Sequence, residues 1–505
     1  MTPRPAPDSI VILGGGTAGW MAACLLAARW GGDRITLVES PEVGIIGVGE
    51  GSTPQLRAFF RTLGLDEADW MPRCNATYKN GIRFTGWSER PGFESYYHPF
   101  VTALDAQTQP VFTYNCLARR TGRDVWAHPD RFFLPAALSD RRLAPLPAES
   151  FPFDVSYGYH FDAHLVGDVL RDHALSRGVH HLQRHVEGVI RTESGDVAAL
   201  VVRDDTDIPA DFFVDCSGFG ATIHQKALGV PFRSFADNLF NDSAVVMPTP
   251  CDATGLNPNT SATALSNGWA WNIPLTNRTG NGYVYASAFL SDDAAETELR
   301  RHLGTLDDPT PTRRIKMRVG RVEESWARNS LAVGLSQGFI EPLEATALHI
   351  VQTTVEQFLD AWDTGDRAGF NTAIGKRYDG IRDYIVAHYR MNQRTDTDYW
   401  RANAENQALS DNLKAMMTAW FRAQDMDAVI ADLDIGGYYA SLSWHCLFAG
   451  YGTFPPDARM TPPGEDITRY DMAQIDEFLR RCALNFQDHR TLLDGRAAAM
   501  TQGAA

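Results

Sequence analysis

The sequence predicts an α/β fold in which a parallel sheet flanked by helices is joined by an antiparallel sheet and a mostly helical C-terminal region. Three stretches carry that reading. Residues 10–39 run as an apolar strand, a glycine turn, an Ala/Leu-rich helix and a second strand; residues 243–290 are rich in strand formers; and helical periodicity dominates from 347 to about 500.

The first stretch is the most specific. Ile10-Val11-Ile12-Leu13 leads into Gly14-Gly15-Gly16-Thr17-Ala18-Gly19, and the second strand, Ile35-Thr36-Leu37-Val38, ends on Glu39, 20 residues after Gly19. Gly14 suits a tight turn, Gly16 a close backbone approach to a pyrophosphate, and Gly19 close packing of helix on sheet. The N-terminus of the helix offers free N–H groups to phosphate, and an acid at the position of Glu39 can bind ribose hydroxyls. A glycine turn without a ligand is the alternative; the strand before, the helix after and the spaced acid favour a Rossmann-like dinucleotide site. The loop that follows has four glycines between Gly44 and Gly51. Its Ile and Val content argues against a plain surface loop, so Gly47, Val48, Gly49 and Glu50 are placed facing the cofactor.

From 84 to 154 aromatics and prolines are dense and periodicity is weak, which reads as irregular structure with short strands. Residues 160–178 are helical, with Phe161, Leu165, Val169, Leu170 and Ala174 on one side, and 186–202 alternate as hairpin strands. Phe212-Phe213-Val214-Asp215 is a second apolar strand before a small-residue turn, of the kind that returns to the sheet in two-dinucleotide-type flavin folds. Residues 330–344 hold one more strand and a Gly/Pro turn. In 347–362 Leu348, Val351, Val355, Phe358, Leu359 and Trp362 form one apolar stripe. Two regions are expected: 1–345, a cofactor-binding core with an inserted substrate-side sheet, and 346–505, a mostly helical substrate-binding region packed on it.

With 505 residues and 44% hydrophobic content the chain can bury a large core. A formal net charge of −16 speaks against a broad nucleic-acid surface. The seven cysteines are scattered, with no CxxC pair and no metal spacing, which points to reduced thiols, a cytoplasmic location and no metal. Residues 1–9 lack the apolar core of a signal peptide, and no run of 18 apolar residues predicts a membrane span.

Three further motifs are read together with the glycine turn. Gly268-Trp269-Ala270-Trp271-Asn272-Ile273-Pro274 contains WxWxIP; Lys79 lies in Tyr78-Lys79-Asn80-Gly81-Ile82-Arg83-Phe84; and Glu344 lies in Gly338-Phe339-Ile340-Glu341-Pro342-Leu343-Glu344-Ala345-Thr346, before a helix. Over about residues 9–455 the chain resembles the flavin-dependent halogenases of the tryptophan-halogenase type. The resemblance implies FAD, used as FADH2, with Leu335 added to the cofactor-binding residues. It implies a chloride or bromide ion held by backbone N–H groups at Thr346 and Ala347, where the family's usual Ser-Thr-Gly is Ala345-Thr346-Ala347. It implies that Lys79 receives hypohalous acid, as a haloamine or through a hydrogen bond, and that Glu344 polarises that acid or takes the ring proton. Trp269 and Trp271 would then be a barrier between flavin and substrate. The residues by themselves leave other readings open: a tryptophan pair as strand core, Lys79 as a surface lysine, Glu344 as a helix-start acid.

His98 and Phe100 match a His-x-Phe element that stacks on indole in the tryptophan enzymes, though a hydrogen-bonded core histidine fits His98 equally. Tyr438 and Tyr439 resemble the tyrosines that hold the amino acid end of tryptophan. Between Tyr439 and Phe448-Ala449-Gly450, however, there is no acid, and Trp444 is the one tryptophan. The group that would bind an ammonium and half of the aromatic sandwich are missing, so the expected substrate is an indole derivative or another electron-rich aromatic, with free tryptophan a poor one. No second, nicotinamide-binding glycine motif follows residue 220, which fits a two-component scheme with a separate NAD(P)H-dependent flavin reductase. A homodimer, the natural substrate, the regiochemistry and the preferred halide are left open. The main alternative is a flavin-dependent aromatic monooxygenase, which needs neither WxWxIP nor Lys79.

Overall fold

The computed structural model describes residues 4–42, 44, 50–203, 205–463 and 471–503, the last five without their side chains. The chain forms two compact units, each assembled from three separated segments.

The first unit comprises Met1–Asn75, Phe161–Ala236 and Met317–Asp379. Its six-stranded sheet runs in the order Trp326–Ala327, Ser330–Ala332, Phe212–Asp215, Ile10–Leu13, Ile35–Glu39, His180–Gln183. All pairings are parallel except the first. Ile10 sits between Phe212 and Ile35 in register. All four residues of the Ile10–Leu13 strand are buried, as expected of a strand covered on both faces, which is why it reads as a continuous apolar run. Val11, Leu13, Val38 and Phe213 share one core cluster with Val197 and Leu200 of the neighbouring hairpin and with Ile223.

The helix Thr17–Trp30 follows the glycine turn and is buried from Thr17 through Ala27 on all but one position. The helices Ala163–Ser176 and Ala347–Thr364 both pack on it, and the thiol of Cys24 donates to the Leu170 carbonyl at 3.4 Å. The expected stripe of the Ala347–Thr364 helix is buried throughout. On Ala163–Ser176 the buried face includes Val166, while Leu165 is only half covered and Phe161 belongs to the preceding strand. The helix begins later than its pattern suggests because the Asp162 side chain caps it, accepting from the His164 N–H.

The second unit comprises Ala76–His160, Asp237–Lys316 and Gly380–Ala505. Its seven-stranded sheet has the order Arg313–Lys316, Ser243–Thr249, Thr279–Tyr285, Gly268–Pro274, Thr260–Leu265, Gly81–Thr85, Ser95–Pro99. It is antiparallel except between Thr260–Leu265 and Gly81–Thr85. The helix Asp292–Leu303 covers one face through Ala295 and Leu299, against Val245, Met247, Ala270, Tyr283 and Tyr285. Among the described residues six α-helices lie between Asp398 and Gly503.

The aromatic, proline-rich stretch 84–154 holds two helices that local periodicity does not predict, Gln109–Arg120 and Leu134–Asp140. Pro110 and Pro135 stand in their first turns, where a missing N–H breaks no intrahelical bond. Among the described residues no helix is long and apolar enough to cross a membrane, and no group of His, Cys, Asp and Glu is arranged to hold a metal ion.

Candidate active site

In the first unit the glycine turn is built for a close approach. Gly14 has φ +114°, and a Cβ there would stand 2.2 Å from the Cys216 carbonyl oxygen. At Gly19 a Cβ would stand 1.9 Å from the Gly14 carbonyl oxygen. These two glycines are demanded by the protein's own packing. Gly16 is different: a Cβ there would meet no atom of the described residues within 4 Å, its chain neighbours apart. Gly16 is also the N-cap of the Thr17–Trp30 helix, and no side chain caps that end. Open space and first-turn N–H groups without a capping side chain fit a pyrophosphate.

Glu39 ends its strand with the carboxylate over the turn, since a Cβ on Gly15 would come 1.7 Å from Glu39 Oε2. The other carboxylate oxygen is 2.7 Å from His181 Nε2, which sets the rotamer. Thr17 donates its hydroxyl to the Ala163 carbonyl at 3.3 Å. Ala18 lies against Gly334, where a Cβ would be 2.8 Å from the Ala18 methyl, and the half-buried Leu335 follows in the same turn. The Glu50 carboxyl is pushed up to about 7, first by desolvation and then by the Asp162 carboxylate. Gly47, Val48 and Gly49 lie outside the described residues.

Glu344 is buried at the end of the turn Pro342–Glu344. Ala345 follows at φ +55°, a left-handed conformation unusual for alanine. Thr346 is the N-cap of the Ala347–Thr364 helix; it is buried but its side chain makes no capping hydrogen bond, and Ala347 is exposed.

In the second unit Lys79 is wholly buried on the short strand Thr77–Lys79, with Nζ 5.4 Å from the centre of the Phe100 ring. Asn80 connects the two, because the Phe100 N–H donates to the Asn80 carbonyl at 2.9 Å. Asn80 is itself fixed: its N–H donates to Pro258 at 2.7 Å, its amide to Pro135 at 3.2 Å, and its oxygen accepts from the Tyr97 hydroxyl. Trp269 and Trp271 are both buried on the Gly268–Pro274 strand, ring centres 6.2 Å apart. The Trp271 ring lies on the bare backbone of Gly282, where a Cβ would be 2.2 Å from it.

His98, Tyr439 and Trp444 meet around a residue the motifs do not single out, Tyr384. His98 stands edge-on to it at 6.2 Å, Trp444 edge-on at 4.9 Å, and Tyr439 stacks on it at 3.6 Å. Tyr438 lies on Gly380, one turn before Tyr384. The only signal of Tyr384 in the sequence is an aromatic ring four residues before His388 on a long helix, which is equally a core pattern. His388, driven down to about 3 by burial, bonds the Tyr451 hydroxyl at 2.6 Å and stacks on Phe84. Tyr438, Tyr439 and Trp444 line one cavity together with Asp383. That acid is already engaged, ion-paired to Arg382 at 2.8 Å and accepting from the Ser410 hydroxyl at 2.6 Å.

The family model for tryptophan halogenase matches residues 9–462. The tryptophan 6-halogenase of Streptomyces toxytricini is 38% identical over 444 residues, 82% of this chain and 84% of that one. The 7-chloro-L-tryptophan 6-halogenase of Kutzneria sp. (strain 744) is 38% identical over 511 residues, 92% of this chain and 95% of that one. The solved structure of the tryptophan C-6 flavin-dependent halogenase (chlorinase) from taromycin biosynthesis superposes with a TM-score of 0.85 at 33% identity, over 97% of this chain and 100% of that one. The open cradle at Gly16 and the anchored Glu39 fit the dinucleotide that such an enzyme needs. The chain therefore belongs to the tryptophan-halogenase family, as a flavin-dependent enzyme with a Rossmann-like FAD-binding fold that halogenates an aromatic.

Proposed function

We propose that the substrate is an electron-rich aromatic of the indole class, other than free tryptophan, and that Lys79 delivers the halogen to it while Glu344 serves as the base. The observation that carries this reading is the burial of Lys79. An ammonium group wholly removed from water is costly unless it has a use; here it lies beside the Phe100 ring, 5.4 Å from its centre. Bound FAD, reduced by a separate NAD(P)H-dependent reductase, supplies hypohalous acid from oxygen and chloride or bromide. Everything else falls to the chain's own residues.

The turn Gly14–Gly19 and Glu39 hold the dinucleotide, with Glu50 and Leu335 beside them. The N-terminus of the Ala347–Thr364 helix offers first-turn N–H groups and the positive end of its dipole to a halide at Thr346 and Ala347. Trp269 and Trp271 give bulk that keeps the substrate away from the flavin. Lys79 donates a hydrogen bond to the hypohalous acid or takes the halogen on its amine, and the ring attacks there. Glu344 accepts the proton that the halogenated ring loses. His98 and Phe100 flank the substrate ring, with Tyr438, Tyr439 and Trp444 on the remaining side.

The test is incubation with FAD, a flavin reductase, NADH, oxygen and bromide over a panel of indoles, read by mass spectrometry. The wild type is expected to give brominated indole. Lys79→Ala is expected to bind FAD and oxidise FADH2 normally but give no brominated product. Wild-type rate and regiochemistry in that variant would remove Lys79 from the reaction.

A further inference from the structure

His160 sits beside Lys79 on the neighbouring strand. Thr77–Lys79 pairs antiparallel with Gly158–Phe161, placing Thr77 opposite His160 and Lys79 opposite Gly158. Residues 77 and 79 face the same side, because side chains alternate along a strand. The imidazole is fully enclosed and both of its nitrogens are held. Nδ1 is 3.1 Å from Thr77 Oγ1, and Nε2 is 3.0 Å from Thr260 Oγ1.

The direction of these bonds follows from counting hydrogens. The Thr77 hydroxyl donates to the Pro274 carbonyl at 2.7 Å. A hydroxyl carries one hydrogen, so toward His160 it can only accept. The ring proton is therefore on Nδ1, Nε2 is an acceptor, and the Thr260 hydroxyl donates to it. The ring is neutral: burial holds it well below the usual histidine range, with Lys79 and then His489 adding to the effect. A second positive charge next to Lys79 is thereby avoided.

One neutral imidazole thus ties together four strands. Thr77–Lys79 and Gly158–Phe161 belong to a small sheet, whereas Thr260–Leu265 and Gly268–Pro274 belong to the seven-stranded one. Pro274 is the proline of the WxWxIP motif, three residues after Trp271. The backbone ladders leave the lysine strand and the tryptophan strand in separate sheets, although Asn80 alone separates Thr77–Lys79 from Gly81–Thr85 of the larger one; the Thr77 hydroxyl bonds Pro274 directly, and His160, anchored on Thr260, fixes the hydroxyl that makes that bond.

We propose that His160 is a positioning residue for halogen transfer, holding the Lys79 strand in register with the strand that carries Trp269 and Trp271. The inference rests on the proposed role of Lys79 as the group that delivers the halogen. A reacting group displaced by about 1 Å can lose on the order of 10²-fold in rate. Hypohalous acid that misses the lysine is lost to side reactions, so the defect appears in coupling and not in flavin chemistry.

Three variants test this: His160→Leu, which removes both hydrogen bonds; His160→Gln, whose amide has one N–H side and one carbonyl side; and Thr77→Val, which keeps the shape of threonine but cuts the link to Pro274. The readout is brominated indole formed per reduced FAD oxidised, measured beside FAD affinity, the rate of FADH2 oxidation and the melting temperature. Coupling is expected to fall about tenfold or more in His160→Leu and Thr77→Val, and to be largely restored in His160→Gln, with FAD affinity and FADH2 oxidation unchanged in all three. Thr77→Val and His160→Gln carry the test should His160→Leu fail to fold. Wild-type coupling in Thr77→Val overturns the proposal. So does a loss in His160→Gln as large as in His160→Leu with a matching drop in melting temperature, which marks a merely structural ring. Lys79→Ala keeps the two readings apart: full halogenation there sinks the role of Lys79, whereas a silent Lys79→Ala beside fully coupled His160 and Thr77 variants sinks only the role of His160.

Discussion

Tyr439 stacks face to face on Tyr384, ring centres 3.6 Å apart and planes within 10° of parallel. The face of Tyr439 turned to Tyr384 is closed to a substrate. Tyr438 is likewise laid on Gly380, and Trp444 turns its edge to Tyr384. The acid on the wall of this cavity, Asp383, has its charge met by Arg382. Among the described residues that line this small cavity no acid other than Asp383 is present to meet a substrate ammonium, whose desolvation would be costly.

Free indole escapes that penalty. It is therefore expected to show a higher kcat/KM than free tryptophan, with attack at C3, the most electron-rich carbon. Both affinities should be modest if the native substrate is larger, because less ring surface is buried, at about 25 cal/mol per Å². A comparison of the two under one reductase system decides it. Efficient halogenation of tryptophan at a single benzo-ring position would exclude the reading of free tryptophan as a poor substrate while leaving the halogenase assignment intact.

Gly16→Val should weaken FAD binding without unfolding the apoprotein. A Cβ at Gly16 meets no atom of the described residues within 4 Å, whereas at Gly19 it would collide with the Gly14 carbonyl. Gly19→Val is thus expected to lower the melting temperature of the apoprotein, and Gly16→Val to leave it within about 1 °C, an effect below roughly 0.5 kcal/mol. Titration of FAD gives the other half of the contrast; unchanged affinity in Gly16→Val would take that glycine out of the site.

Glu344→Gln keeps the side-chain shape and removes the base. Turnover is expected to fall by about 10²–10⁴-fold, the usual contribution of a positioned general base, with FAD affinity retained. A loss under roughly threefold, measured as kcat for indole bromination, would leave Glu344 as an acid that favours the helix N-terminus and nothing more.

Glu50 makes stability depend on pH. Its carboxyl is raised from 4.5 in the unfolded chain to about 7 in the fold, chiefly by desolvation and secondarily by Asp162. A raised acid holds its proton more tightly when folded, so its contribution to stability is fully present below about 4.5 and is lost as pH rises through about 7. Glu50→Gln should therefore gain on the wild type as pH rises from about 5 to about 8. Melting temperatures of both proteins across that range check it, and a constant difference would place the Glu50 carboxyl in the ordinary range.

The nucleotide-binding half was legible in the sequence because its determinants are local. Strand, glycine turn, helix and acid follow one another between Ile10 and Glu39, and each residue type serves the backbone next to it. The strand Phe212–Asp215 was recognisable for a related reason: a strand buried on both faces reads as a near-continuous apolar run, here Phe212-Phe213-Val214, closed by the buried Asp215. Lys79 stood out because a lysine is unusual in a buried strand, whereas the tryptophan pair, ordinary for a strand, was legible only through the WxWxIP motif and the family resemblance it carries.

Other features were decided by packing between distant segments. Two prolines in first turns hid the helices Gln109–Arg120 and Leu134–Asp140 from a reading of periodicity. Each compact unit is assembled from three pieces of chain that no linker composition marks. Tyr384 becomes the centre of an aromatic group only when His98, Tyr439 and Trp444 arrive from three other elements. The tautomer of His160 depends on Thr77, Thr260 and Pro274, each supplied by a different strand. Local sequence determines which residues can make a turn, a strand or a cap. Which rings stack and which nitrogen keeps its proton depend on partners far away in the chain, and those only the tertiary structure brings within reach.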